Sequence, residues 1–87
     1  MSMPGAPTEA HSPAELDADG TAALTFAQTH LEGAGDLVSF RTQVVAGVNY
    51  HFKFANLAND VTVWSQPWNN NFLEVTKPDG SKVSNQH

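Results

Sequence analysis

The segment from Val48 to Phe54 constrains the fold most, because apolar and polar residues alternate along it. In a strand, the apolar residues would share one face, namely Val48, Tyr50, Phe52 and Phe54. The polar residues would share the opposite face, namely Asn49, His51 and Lys53. Such alternation is typical of a strand with one face buried and the other in water. A single strand cannot bury its apolar face alone, so the rest of the chain must supply a partner.

A helix is expected before that strand. The segment Ser12-Pro13-Ala14-Glu15 has a capping serine, a proline at the first helical position and a glutamate that completes a capping box. Apolar residues at helical spacing follow, namely Leu16, Ala23, Leu24, Ala27 and Leu31. We therefore predict one helix over residues 13 to 31. Gly20 is its weak point, since glycine costs about 1 kcal/mol against alanine in a helix interior; a bend there, or a shorter helix from Thr21, is the alternative.

After Asp36 the composition changes to that of strands and turns. We predict four consecutive strands, over Leu37 to Val45, Val48 to Phe54, Val61 to Ser65 and Phe72 to Thr76. One helix followed by strands predicts a single α+β domain over residues 1–87, in which an antiparallel sheet packs around the helix. Residues 1–11 are expected to form a flexible N-terminal arm. Residues 81–87 are left open as a last strand or a disordered tail.

Composition limits the partners. The net charge is −5, and the cationic side chains are only four, Arg41, Lys53, Lys77 and Lys82. No basic stripe can form from these, so we expect neither nucleic acid nor an anionic membrane as a partner. The absence of cysteine excludes disulfides, thiolate metal sites and a cysteine nucleophile. Residues 1–7 lack the features of a signal peptide, so a cytoplasmic location is expected rather than a secreted one.

Residues that could carry catalysis or bind a metal do not form a recognisable arrangement. The histidines lack ligand spacing, and His51 is expected to be solvated on the polar face of its strand. The acidic residues at positions 15, 17 and 19 suit the positive end of a helix rather than a catalytic pair. We therefore expect no metal, no cofactor and no enzymatic activity.

Three motifs resemble those of the cystatin family. Gln43-Val44-Val45-Ala46-Gly47, here called the first tip, fits the Gln-x-Val-x-Gly signature between two strands. Pro67-Trp68, here called the second tip, fits the Pro-Trp pair of the family's second hairpin loop. Gly5 precedes the helix, where the family has an N-terminal glycine. The chain is most similar to the cysteine-free cystatins of plants, although its arm resembles the stefins.

The resemblance implies a function. Cystatins are reversible, competitive protein inhibitors of papain-like cysteine proteases, here of the cathepsin or the plant type, and they fill the active-site cleft with the arm and the two tips. The first tip has small, uncharged side chains, which enter a narrow cleft at little desolvation cost. Trp68 is of the residue type that dominates many interfaces. The resemblance also implies a monomer, with a dimer swapped through the first hairpin as the alternative.

The individual residues also allow other interpretations. Taken alone, the pentapeptide of the first tip is more often a buried strand that ends at a glycine turn, and a tryptophan in a small domain is more often in the core. Polar turn residues flank Trp68, which favours an exposed position, whereas Trp64 is assigned to the sheet. A non-inhibitory module that binds another protein or a carbohydrate through Trp64 or Trp68 is the first rival, and an enzyme ranks last.

Overall fold

The structure is a computed structural model and describes residues 10–85 of the chain. The elements, in chain order, are a 3₁₀-helix Pro13–Glu15, α1 Ala18–Thr29, β1 Leu37–Val45, β2 Gly47–Phe54, β3 Val61–Gln66, β4 Phe72–Thr76 and β5 Lys82–Ser84. The helical segments come first and the strands follow, as the sequence predicts. Neither described helix is long and apolar enough to cross a membrane.

The five strands form one open sheet in the order β1-β2-β3-β4-β5, and every neighbouring pair is antiparallel. Helix α1 packs against β2, β3 and β4. The predicted α+β class is therefore confirmed, and a sheet packed against one helix is consistent with a cystatin-like fold.

The core lies between α1 and the sheet. Its fully buried large side chains all come from β2, β3 and β4, and they are Phe52, Phe54, Val61, Val63 and Val75. From the helix, Ala23 and Ala27 are completely buried. Small side chains at these positions let the helix lie close to the sheet. The apolar face predicted for Val48 to Phe54 is thus the face that packs on the helix, although Val48 is only partly buried.

The predicted single helix over residues 13 to 31 is wrong. The segment Pro13–Glu15 is a separate 3₁₀ turn, Leu16 has an extended backbone with φ −64° and ψ 130°, and α1 begins only at Ala18. Each helix has its own cap: the Glu15 carboxylate accepts from the Ser12 N–H at 2.8 Å, and Asp17 Oδ1 accepts from the Gly20 N–H at 2.7 Å. Asp17 is a better N-cap than a helix-interior residue, so α1 starts after it.

Gly20 lies within the first turn of α1, so the helix does not start at Thr21. A Cβ at this position would lie 2.5 Å from Leu16 Cδ2 and 3.1 Å from Tyr50 Cε1. The glycine therefore allows the tyrosine ring of β2 to pack directly on the start of the helix.

Both ends of the described chain are bound to the sheet. His11 forms a two-way backbone bridge with Phe40 on the outer side of β1, with N···O distances of 2.8 and 3.0 Å. At the other end, Lys82–Ser84 pair with β4 as β5, and the Asn85 N–H donates to the Leu73 carbonyl at 2.9 Å. Of the two alternatives for the C-terminal segment, these residues form the strand. Residues 1–9 of the predicted arm, with Gly5, lie outside the described residues.

Candidate functional site

The first tip is a very tight hairpin. Val45 pairs with Gly47, so Ala46 is the single residue between β1 and β2. Gly47 has φ +104°, a conformation that residues with a Cβ rarely adopt. A Cβ at this position would also clash with the carbonyl oxygen of Ser65 on β3. Glycine is thus required both for the turn and for the approach of the neighbouring strand.

The apolar side chains of the first tip face solvent. Among residues 10–85, the exposed large hydrophobic residues are Val38, Val44, Val45 and Trp68, and all but Val38 belong to the two tips. Val44 is 66 % exposed and Val45 41 %. Exposed apolar residues grouped in this way are typical of a binding surface, whereas single ones are not.

Gln43 begins the first tip but does not reach its end. Its side chain lies on the face of the sheet away from α1, where His51 Nε2 is 3.2 Å from its Oε1. The amide oxygen can only accept, so the imidazole Nε2–H donates to it; in the neutral ring, Nδ1 then accepts from the Thr62 hydroxyl, 3.1 Å away. Gln43, His51 and Thr62 thus form a polar row across β1, β2 and β3.

The expectation that His51 is solvated is wrong, because it is half-buried within this row. Burial lowers the pKa of His51, the charge of Asp60 raises it, and the nearby Arg41 lowers it again. Burial thus disfavours the charged imidazolium at this position. This row could not be predicted from the sequence, since alternation along β2 does not reveal which residues lie opposite on β1 and β3.

The second tip follows β3 directly and is also exposed to solvent. Trp68 is 67 % exposed, as its polar flanks predict, and Trp64 lies within β3, as expected. Backbone hydrogen bonds close the turn, from the Asn69 N–H to the Gln66 carbonyl at 3.0 Å and from the Phe72 N–H to the Asn69 carbonyl at 3.1 Å. Asn70 and Asn71 have φ of +52° and +55°, which asparagine tolerates better than most residues.

The two tips lie side by side at one end of the sheet. The Ala46 carbonyl of the first tip accepts from Trp64 Nε1–H at 2.8 Å and from the Gln66 side-chain amide at 3.4 Å. The same Gln66 side chain accepts from the Asn69 amide at 3.2 Å. Residues on β3 therefore connect the first tip to the second. The structure brings together every predicted site residue except Gly5, which lies outside the described part.

His11 joins the outer side of β1 through its antiparallel bridge to Phe40. Between the 3₁₀-helix and the first tip lies an open groove of about 350 Å³, lined by His11, Glu15, Asp17, Phe40, Thr42, Val44, Val48 and Tyr50. The groove is apolar on the sheet side and acidic on the helix side.

Two ionisable groups of the groove have shifted pKa values. Burial, the charges of Asp17 and Asp19 and a 3.5 Å contact with the Asp17 carboxylate raise the pKa of Tyr50 to about 12. The Ser12 N–H that bonds to Glu15 holds the pKa of that carboxyl below its usual value. Sequence reasoning missed the groove, because it forms only when the 3₁₀-helix folds against β1. Among the described residues, no group of three or more His, Asp or Glu side chains could hold a metal ion.

In comparisons with known proteins, the chain matches no family model, no curated protein and no solved structure. The resemblance to cystatins therefore depends on the motifs and on the arrangement of helix, sheet and tips.

Proposed function

We propose that this protein is a reversible, competitive inhibitor of papain-like cysteine proteases, with the two tips as its binding edge. One observation carries the proposal: Val44, Val45 and Trp68, which are exposed, all lie on the two adjacent tips at one end of the sheet. An exposed apolar edge of this kind suits a narrow, partly apolar cleft.

The tips are held in place before binding. Gly47 is seated against Ser65, and the Ala46 carbonyl has two side-chain donors. Binding a tip that is already ordered loses less conformational entropy than binding a mobile loop. Trp68 supplies a large apolar side chain that could become the anchor of the second tip.

The proposed inhibition is non-covalent. In the tight hairpin, the peptide groups around Ala46 are held between paired strands, and the backbone at Gly47 has φ +104°. A protease binds its substrate in an extended form, so a hairpin tip can cover the catalytic cysteine without presenting a peptide bond for attack. The chain itself then performs no chemistry. By the cystatin resemblance, the arm around Gly5 would lie along the substrate-binding side of the same cleft.

A titration of papain with the purified protein tests the proposal. We expect a stoichiometric loss of activity that is recovered on dilution and is reduced by higher substrate concentration. Papain that keeps full activity at a large excess of this protein would refute the proposed function.

A matched pair of variants ties the activity to the tips. Val44→Asp places a charge on the first tip, where it would have to lose its hydration in the cleft, so inhibition should weaken strongly. Val38→Asp makes the same change at an exposed position near the start of β1, remote from the tips, and should leave inhibition unchanged. Equal effects of the two changes would mean that the first tip is not the binding edge.

A carbohydrate-binding module is the second candidate, because Trp68 is exposed beside three asparagines, residues 69–71. An aromatic ring with neighbouring amides can stack on a sugar and bond to its hydroxyls. Trp64 is less suited to this role, since its indole N–H already donates to Ala46. If the protein binds carbohydrate instead, an oligosaccharide should change the fluorescence of Trp68, and the protein should not inhibit papain.

A further inference from the structure

We propose that Trp64 is a positioning residue that fixes the first tip relative to the second. The hydrogen bond from its indole N–H to the Ala46 carbonyl is here called the tether. The effect of Trp64 on inhibition rests on the proposed function, whereas the existence of the tether does not. Trp64 lies on β3, on the face of the sheet away from α1, and its Nε1–H donates to the Ala46 carbonyl at 2.8 Å. Ala46 is the one residue between β1 and β2.

The Ala46 carbonyl lies outside the regular ladder of β1 and β2, so other groups must hold the end of the hairpin. The Trp64 bond has the length of a normal N–H···O hydrogen bond, whereas the Gln66 amide lies farther away, at 3.4 Å. Trp64 is therefore the principal donor and Gln66 the weaker one.

Trp64 can hold the tip because its own ring is fixed. Its neighbours in the sheet are Asn49 on β2 and Glu74 on β4. The indole meets the ring of Phe72 edge to face, with centroids 5.8 Å apart and an interplanar angle of 82°. Edge-to-face pairs of this kind are a preferred aromatic geometry.

Phe72 begins β4 immediately after the turn of the second tip, and its N–H closes that turn on the Asn69 carbonyl. The indole of Trp64 therefore contacts the first tip through its nitrogen and the base of the second tip through its ring. One side chain thus sets the spacing between Ala46 and the turn that carries Trp68, before any partner binds.

The free protein allows a direct test, because it has only two tryptophans. Proton NMR should show two indole N–H signals, which Trp64→Phe and Trp68→Phe assign. We expect the Trp64 indole proton to exchange with solvent at least roughly tenfold more slowly than that of the exposed Trp68, since a hydrogen-bonded proton exchanges only on local opening. Equal exchange rates for the two indole protons would refute the hydrogen bond between Trp64 and Ala46.

Trp64→Phe tests positioning, because it keeps an aromatic ring beside Phe72 and removes only the donor. We expect the backbone amides of Ala46 and Gly47 to become more mobile in NMR relaxation, while those of β4 stay unchanged. Gln66→Ala, the matched control, should loosen the tip less. Unchanged mobility of Ala46 in Trp64→Phe would refute the proposal, whether or not the protein inhibits papain.

Inhibition kinetics connect the tether to the proposed function. The Trp64→Phe complex with papain should dissociate roughly 5- to 20-fold faster than the wild-type complex, with little change in association rate, as is common for changes near an interface. A wild-type dissociation rate in this variant would show that the tether has no role in binding and would overturn the positioning role. If the wild-type protein does not inhibit papain at all, the proposed function is wrong. The exchange and relaxation measurements alone then test whether Trp64 holds the first tip.

Discussion

The carbonyl oxygen of Ser65 lies where a Cβ at residue 47 would have to be, so Gly47 seats the first tip directly on β3. Ser65 is itself buried under the helix side of the sheet and lies just before the second tip. This contact joins the two tips through the backbone, in the same region where Trp64 and Gln66 join them through side chains.

Gly47→Ala should therefore be strongly destabilising. The substitution introduces both a strained φ and a clash with a backbone atom that cannot move aside like a side chain. We expect a loss of about 2–4 kcal/mol in the free energy of unfolding, measured by urea denaturation.

Gly80→Ala is the matched control. Gly80 also has a positive φ, +91°, but no atom lies within 4 Å of the position of its Cβ. Gly80→Ala should therefore lower the free energy of unfolding only by the cost of the strained φ, about 1–2 kcal/mol. Equal losses at the two glycines would show that the Ser65 contact adds nothing to the effect.

Asp17, and not Ser12 as the sequence predicted, is the N-cap of α1. Asp17→Ala removes the acceptor for the Gly20 N–H and should destabilise the protein by about 1 kcal/mol. Ser12→Ala should have a smaller effect in the same urea experiment, since Ser12 caps only the three-residue 3₁₀ turn. Asp17→Asn should be close to wild type, because asparagine caps nearly as well. A larger loss for Ser12→Ala would contradict this assignment.

Tyr50 should ionise only at high pH. It is the only tyrosine, so the ultraviolet absorbance of phenolate reports this group alone. The folded-state pKa of Tyr50 is about 12, against an ordinary tyrosine pKa of 10.0, so folding favours the neutral phenol. The contribution to stability is complete below pH 10 and is lost as the pH rises toward 12.

Burial is the largest cause of this shift, and the charges of Asp17 and Asp19 come next. Asp17→Asn keeps the helix cap but removes one charge, so the Tyr50 midpoint should move down in that variant without returning to the value of a free tyrosine. A wild-type midpoint near that of free tyrosine would mean that the ring is not held against the helix start.

His51 should make the protein less stable in mild acid. The folded-state pKa of His51 lies below the ordinary histidine pKa of 6.5, chiefly because the ring is half-buried. The neutral form therefore contributes its full stability above pH 6.5, and this contribution falls as the pH decreases toward the folded-state pKa. His51→Gln cannot titrate, so the free energy of unfolding should fall more steeply between pH 8 and pH 5 in wild type than in this variant. Parallel pH profiles would contradict the prediction.

The features that could be predicted from the sequence are those that depend on the pattern of neighbouring residues. Alternation along β2 identified the buried face, and the polar flanks of Trp68 identified an exposed turn. The break between the two helices was missed because Ser12 and Asp17 are both good caps, and the packing of Tyr50 on Gly20 favours the second. The bonds from His51 to Gln43 and from Trp64 to Ala46 depend on strand register, which one strand's pattern does not contain.

Substitution of Trp68 should separate the contribution of this side chain to binding from its contribution to folding. This side chain is 67 % exposed, so Trp68→Ala should change the free energy of unfolding by no more than about 0.5 kcal/mol. If Trp68 anchors the second tip in a protease cleft, the same change should weaken inhibition of papain by roughly 1–4 kcal/mol, as for an interface hot spot. Trp68→Phe keeps an aromatic ring and should lose less. An alanine variant that unfolds would place Trp68 in the core, and one that inhibits like wild type would remove it from the binding edge.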